Sequence, residues 1–142
     1  MNKKNSLLGF INWIFLASTF VVISCGKAPT QNDIYGVWKG EHLGKQLMFK
    51  FNNDGTCVLN FKDNVSDSAE ILIGNFKMNF SQKPITLSVR NIPQLNHPLH
   101  TIVEFVKMDS IKLANFAPRW RIRPITFDPI ASMNLRRINN NE

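Results

Sequence analysis

Residues 46–61, Gln-Leu-Met-Phe-Lys-Phe-Asn-Asn-Asp-Gly-Thr-Cys-Val-Leu-Asn-Phe, are the stretch of this sequence that decides the fold. Leu47, Phe49 and Phe51 alternate with polar or longer side chains, a period of two that is typical of a strand with one buried face. Asn-Asn-Asp-Gly at 52–55 is a strong turn signal. The alternation then resumes and completes a predicted β-hairpin, at Cys57, Leu59 and Phe61.

Similar short apolar runs follow, separated by turn signals every eight to twelve residues. No segment after Cys25 has a helical period over ten or more residues. Eight or nine short strands in series predict an antiparallel up-and-down meander. Closing it into a small barrel of about eight strands removes the two unpaired edges, and a two-sheet sandwich is the alternative. The later runs are Ile71–Phe80, Ile85–Val89, Thr101–Lys107, Ile111–Leu113, Arg121–Thr126 and Ser132–Ile138.

The N-terminus has the organisation of a secretory signal peptide. Lys3 and Lys4 form a basic segment, and the apolar run Leu7–Ile23 follows it. The run ends at Val22-Ile23-Ser24-Cys25, which resembles the lipobox of bacterial lipoproteins. This resemblance implies that residues 1–24 are removed and that Cys25 is diacylated. The protein would then be a lipid-anchored component of the bacterial cell envelope.

Beyond Cys25, the polar residues 26–33 are typical of a tether, so the lipidated tether is predicted at 25–33 and the domain at 34–142. In lipoproteins, Asp after the lipidated cysteine is an inner-membrane retention signal, and Gly26 in its place favours the outer membrane. Two alternatives remain: the apolar run is an uncleaved membrane anchor, or Cys25 belongs to a buried helix or a disulfide with Cys57.

The chain is basic, with a formal net charge of +7, or about +5 without Lys3 and Lys4. An exported basic domain suits anionic membrane head groups better than nucleic acid, which is not expected as a partner. With Cys25 lipidated, Cys57 is a lone thiol. Because it alternates with core residues, it is predicted to be buried and unreactive.

Gly36-Val37-Trp38 opens the first strand after the tether, and Arg136-Arg137 lie in the last strand. This pairing resembles the lipocalin superfamily, in which a Gly-x-Trp and a late arginine close one end of the barrel. The resemblance implies that Arg136 or Arg137 stacks on Trp38 through a cation–π contact. The alternative is that Trp38 is a core tryptophan of another β fold.

Arg119, Arg121 and Arg123 alternate with Trp120 and Ile122. In an extended segment the three guanidinium groups would lie on one face, where they could bind a ligand carboxylate or lipid phosphates. The alternative is a solvated edge whose charges prevent pairing with another sheet.

Catalytic and metal-binding patterns are not evident. His97 and His100 lie in a proline-containing segment that is predicted to be a loop, and His42 and Glu104 are not placed beside them by spacing. The chain has none of the common nucleophile, metalloprotease or phosphate-loop motifs, so neither an enzyme nor a cofactor is expected.

The function predicted from these features is binding of a small apolar or amphipathic ligand inside a membrane-anchored barrel. An eight-stranded barrel has room for side chains or for one small ligand. The alternative is a filled barrel that acts as a protein-interaction module in the cell envelope. The predicted lining residues are Phe49, Phe51, Phe76 and Met78, with the three arginines Arg119, Arg121 and Arg123 at the barrel mouth.

Overall fold

The computed structural model of the protein describes residues 26–139. The signal peptide predicted at residues 1–24, the lipidation predicted at Cys25 and the domain residues 140–142 lie outside this range. Within it the chain is all-β, as predicted, with eight strands and two single-turn 3₁₀ helices.

The strands follow one another along the chain as an up-and-down meander. They are β1 Gly36–His42, β2 Lys45–Phe51, β3 Thr56–Asp63, β4 Ala69–Asn79, β5 Ile85–Arg90, β6 Leu99–Lys107, β7 Ser110–Leu113 and β8 Met133–Ile138. The 3₁₀ helices span Gln31–Asp33 and Trp120–Ile122.

The sheet closes on itself, which confirms the predicted barrel. Each strand pairs antiparallel with the next, and β1 pairs with β8 from Val37 opposite Ile138 to Gly40 opposite Leu135. Gly40 permits this closure, because a Cβ atom there would lie 2.2 Å from the backbone oxygen of Asn134. Closure leaves the sheet no free edge.

The β2–β3 hairpin has the register predicted from its alternation. Phe49 pairs with Leu59 and Phe51 with Cys57, so the apolar residues of both strands face the interior. Asn52–Gly55 form the connection, in which Gly55 has a φ of +85° that favours glycine.

The interior of the barrel is filled by large side chains. Trp38, Phe49, Phe51 and Leu59 are at most 1% exposed. The phenylalanine rings pack edge to face, with centroids 5.1 Å apart for Phe49 and Phe61 and 5.0 Å apart for Phe51 and Phe76. Leucine, isoleucine and valine side chains from all parts of the barrel complete this core.

The chain enters the barrel at one end, here called the tether end. In an up-and-down barrel alternate connections lie at the same end, so residues 30–35 share this end with the turns at 52–55, 80–84 and 108–109. Within the tether predicted at 25–33, Gln31–Asp33 form a 3₁₀ helix, and the backbone oxygen of Asp33 accepts a hydrogen bond from Arg137.

The strand predicted at Arg121–Thr126 is wrong. Residues 118–131, here called the strap, form a connection that includes the second 3₁₀ helix and crosses the outside of the barrel. It covers outward-facing residues of β5 and β6, so that Thr86, His100 and Ile102 are at most 4% exposed. Alternation suggested a strand here, but none of the residues 119–126 is buried, so the alternating pattern does not reflect a face packed on the core.

The prediction that His97 and His100 share a loop is also wrong in part. His97 lies in the β5–β6 connection, whereas His100 is the second residue of β6 and pairs with Ser88 of β5. Pro98 ends the loop directly before the strand, where its missing N–H disturbs little of the ladder.

Candidate functional site

A groove of about 540 Å³ lies on the outer face of β4, β5 and β6, beside the strap. The strand residues on this face alternate with core residues, so their side chains point away from the barrel interior. The groove is lined by Asn75, Phe76, Lys77, Met78, Asn79, Thr86, Ser88, Arg90, Asn91, His100 and Trp120.

The centre of the groove is a row of three side chains on neighbouring strands. Lys77 of β4 pairs with Ser88 of β5, which pairs in turn with His100 of β6. The Ser88 hydroxyl is hydrogen-bonded to Nδ1 of His100 at 2.8 Å. This bond fixes the imidazole against the sheet, so the row is a preorganised polar surface.

Cations dominate the charge of the groove. Lys77 lies at its centre, Arg90 lies opposite Asn75 at one side, and none of the lining residues described by the structure is Asp or Glu. Amide groups supply further donors, at Asn75, Asn79 and Asn91. An anion would therefore find several hydrogen-bond donors and no repelling carboxylate in the lining.

The strap supplies an aromatic side to the groove. The ring of Trp120 meets that of His100 edge to face, with centroids 5.5 Å apart. The guanidinium carbon of Arg123 lies 3.7 Å from the centroid of the Trp120 ring. Nη1 of Arg123 donates a hydrogen bond to the backbone oxygen of Trp120 at 3.1 Å. Trp120 is 40% exposed, so part of its ring remains available for contact.

The predicted arginine row is not formed. Arg119, Arg121 and Arg123 do not share a face, because side chains three apart eclipse in a 3₁₀ helix and Arg123 is thereby brought onto Trp120. Arg119 and Arg121 are exposed, whereas Arg123 is half-buried and lies beside the groove.

Burial lowers the pKa of His100 from its ordinary value of 6.5, and the positive charges of Arg90 and Arg123 lower this pKa further. The imidazole is therefore neutral at pH 7. A neutral histidine that shares a hydrogen bond with Ser88 is a polar contact group rather than a third cation.

All four predicted lining residues, Phe49, Phe51, Phe76 and Met78, belong to the buried core of the barrel. Phe49 and Phe51 are inside the barrel and contact other aromatic rings. Phe76 also packs on Phe51, although its strand position contributes to the groove wall, as does that of Met78. Only the strand positions of Phe76 and Met78 therefore reach the groove, since all four side chains face the core.

Trp38 and Arg137 meet at the tether end of the barrel, in the predicted contact between Trp38 and one of the two adjacent arginines. Gly36 has a φ of +123°, and Trp38 is fully buried, with its Nε1 donating to the Ile34 oxygen at 2.7 Å. Arg137 stacks on Trp38 at 4.4 Å from the ring centroid, whereas Arg136 is exposed.

Arg137 also donates hydrogen bonds from its guanidinium to the backbone oxygens of Asp33 and Tyr35. The stacking partner left open by the sequence is therefore Arg137, and it ties the tether to the last strand.

Other reactive groups do not add to this site. Cys57 is fully buried, as predicted, and burial raises the pKa of its thiol to about 12. No group of three or more His, Cys, Asp or Glu residues that could hold a metal ion occurs within residues 26–139.

Lys77, Ser88, Arg90 and His100 were not predicted as ligand-binding residues from the sequence. Lys77, Ser88 and Arg90 alternate with core residues on β4 and β5, whereas His100 of β6 joins them only through cross-strand pairing, which the sequence does not give.

Comparison with protein-family models, with curated proteins and with solved structures found no match to this chain. Over the range that the structure covers, no helix has both the length and the apolar character needed to cross a membrane.

Proposed function

We propose that the protein is a lipid-anchored lipoprotein of the bacterial cell envelope, with the outer membrane favoured, whose barrel binds a small anionic amphipathic molecule in its outer groove. Anchoring rests on Val22-Ile23-Ser24-Cys25 and on the basic and apolar segments before it. The observation that carries ligand binding is the groove of about 540 Å³ with cationic and amide groups in its lining.

The groove supports ligand binding better than the barrel interior does. Its volume is within the range of about 300–1,000 Å³ that is typical of small-molecule sites. The interior is occupied by aromatic and aliphatic side chains, and the depression at the mouth opposite the tether end measures about 210 Å³. A ligand at the groove needs no rearrangement of this core.

The chemistry of the lining defines the ligand class. Lys77 and Arg90 suit a carboxylate or phosphate, since charge-assisted hydrogen bonds to such groups are strong. The exposed part of the Trp120 ring suits an apolar or planar portion of the same molecule. A fatty acid and a lysophospholipid both combine these features.

The ligand-binding test uses residues 26–142, which include the whole closed barrel, and a dansyl-labelled fatty acid. Lys77→Gln and Arg90→Gln should each weaken binding about ten- to a hundredfold, the value of a charge-assisted hydrogen bond. Lys39→Gln, on the outer face of β1, is the matched control and should bind as the unchanged protein does. Binding that is absent, or is equal in all three variants, would reject the groove.

Anchoring is tested separately in the host with the full chain. Cys25→Ala should abolish partitioning into the detergent phase and leave the precursor unprocessed, and mass spectrometry should find acyl chains on the N-terminal peptide of the unchanged protein. Native mass spectrometry of the same material identifies any lipid that copurifies.

The second candidate function, a filled barrel that binds another protein, is favoured by the packed interior. An apolar patch on β2, β3 and β4 offers a surface for it, formed by the exposed Met48, Ile71 and Ile73 and the half-buried Val58. Loss of partner capture in Ile71→Ser with Ile73→Ser, and not in Lys77→Gln, would support this function.

A further inference from the structure

The tether end of the barrel exposes apolar side chains close to the point where the tether enters. Val106 and Met108 are 55% and 56% exposed on either side of Lys107. Their turn is joined to the tether through Arg137, whose backbone N–H donates to the Asp109 oxygen at 2.8 Å and whose guanidinium donates to the Asp33 oxygen. These apolar residues therefore lie beside the tether.

The strap extends this surface. Ile122 and Ile125 are 62% and 71% exposed. The strap meets the β4–β5 turn at the tether end, because Pro124 and Ile125 line a depression of about 270 Å³ together with Lys83 and Pro84. Pro124 and Ile125 of the strap therefore lie at the same end of the barrel as the β6–β7 turn, and Ile122 precedes them on the exposed side of the strap.

The strap carries the excess of positive charge on this part of the molecule. The strap has Arg119, Arg121 and Arg123 against Asp128, whereas at the tether end Lys27, Lys83 and Lys107 are balanced by Asp33, Asp54 and Asp109. The opposite end carries more acidic than basic residues, with Lys45 and Lys62 against Glu41, Asp63, Asp67 and Glu70.

We propose that the tether end and the strap form a docking surface for a bilayer that contains anionic lipids. Ile122, Ile125 and Met108 would enter the boundary between head groups and acyl chains, and Arg119 and Arg121 would pair with head-group phosphates. Interfacial protein segments combine apolar and basic side chains in this way. Isolated exposed apolar residues are common, but here they coincide with the excess of positive charge.

The length of the tether agrees with this orientation. Gly26–Thr30 separate Cys25 from the first 3₁₀ helix, and five extended residues span at most about 18 Å. If Cys25 carries the proposed lipid, the tether end stays within this distance of the bilayer. This step rests on the proposed anchoring, whereas the docking surface is formed by the barrel itself.

The docking surface is tested with residues 26–142, which carry no lipid anchor. Co-sedimentation is measured with vesicles of phosphatidylcholine alone and of phosphatidylcholine mixed with phosphatidylglycerol. Binding should require phosphatidylglycerol and should fall as salt is added. Arg119→Gln with Arg121→Gln should reduce the partition coefficient about thirtyfold, and Ile122→Ser with Ile125→Ser about tenfold.

Matched control variants distinguish binding through the docking surface from non-specific binding to vesicles. Ile71→Ser with Ile73→Ser removes exposed isoleucines from β4, and Lys39→Gln with Lys45→Gln removes two cations distant from the strap. Both should bind vesicles nearly as the unchanged protein does.

Absence of vesicle binding, equal binding to neutral vesicles, or equal losses in control and strap variants would overturn the docking surface. Such a result leaves the anchor untouched if the full chain still partitions into detergent through Cys25. Loss of that partitioning with vesicle binding retained would instead reject the anchor alone.

Discussion

The guanidinium group of Arg137 lies over the indole of Trp38 and also donates hydrogen bonds to the backbone oxygens of Asp33 and Tyr35. One side chain of the last strand therefore joins the first strand and the segment that precedes it. Since Trp38 donates in turn to the Ile34 oxygen, the indole is held on its face and at its edge. This cluster closes the tether end of the barrel.

Arg137→Met should lower the free energy of unfolding by about 2–4 kcal/mol, because it removes the cation–π contact and leaves the Tyr35 and Asp33 oxygens without their charged donor. Arg136→Met removes an equal charge from an exposed neighbour and should change the free energy by no more than about 0.5 kcal/mol. Urea unfolding of residues 26–142 measures both. Equal losses would contradict the role assigned to Arg137.

Gly40→Ala should destabilise the closure between β1 and β8. The added Cβ would lie 2.2 Å from the backbone oxygen of Asn134 and 2.7 Å from Leu135, and backbone must shift to relieve the first contact. We expect the free energy of unfolding, measured by thermal unfolding, to fall by about 1–3 kcal/mol, as it does in overpacked cores. Gly26→Ala, with no atom within 4 Å of the new Cβ, is the control. An unchanged melting temperature in Gly40→Ala would show that β8 does not approach β1 this closely.

The Cys57 thiol should be unreactive in the folded protein. Burial raises its pKa to about 12, so little thiolate forms at pH 8 and reagents cannot reach the sulfur. Residues 26–142 contain no other cysteine, so Ellman's reagent reports on this thiol alone. We expect one thiol per chain in guanidinium chloride and slow reaction without it. Rapid reaction in buffer would mean that β3 opens.

The hairpin and the strap show why part of the fold could be predicted and part could not. The alternation of Leu47, Phe49 and Phe51 identifies a strand because one face is buried, so each side chain is constrained by the core. The alternation at 119–123 had no such constraint, because Arg119–Ile122 are all exposed, at odd and at even positions alike. The 3₁₀ turn there was therefore not specified by hydrophobic pattern.

The groove depends on relationships between distant residues. Lys77, Ser88 and His100 come together only through the registers of β4 with β5 and of β5 with β6. The tryptophan beside them comes from a connection that crosses outside the sheet. By contrast, the contact of Trp38 with Arg136 or Arg137 was predicted from the sequence. That prediction came from a resemblance between motifs at the two ends of the domain, because local alternation says nothing about residues so far apart in the chain.

The free energy of unfolding should fall as the pH drops below about 6.5, and His100 should account for this part of the dependence. Its pKa is lowered in the folded protein by burial beneath the strap and by Arg90 and Arg123, so the unfolded chain binds the proton more readily. Stability is therefore full above the unfolded pKa and declines as pH falls toward the folded one.

His100→Gln, which can keep a hydrogen bond to Ser88, should flatten the curve of stability against pH in this interval, whereas His97→Gln in the β5–β6 connection should leave its slope in place. The lowered pKa values of Asp33, Asp54, Asp63 and Asp128, all below 3.8, place their titration at more acidic pH. Urea unfolding across this pH range measures the slope. If His100→Gln retained it, the imidazole would already be solvated in the folded state and the strap would not cover it.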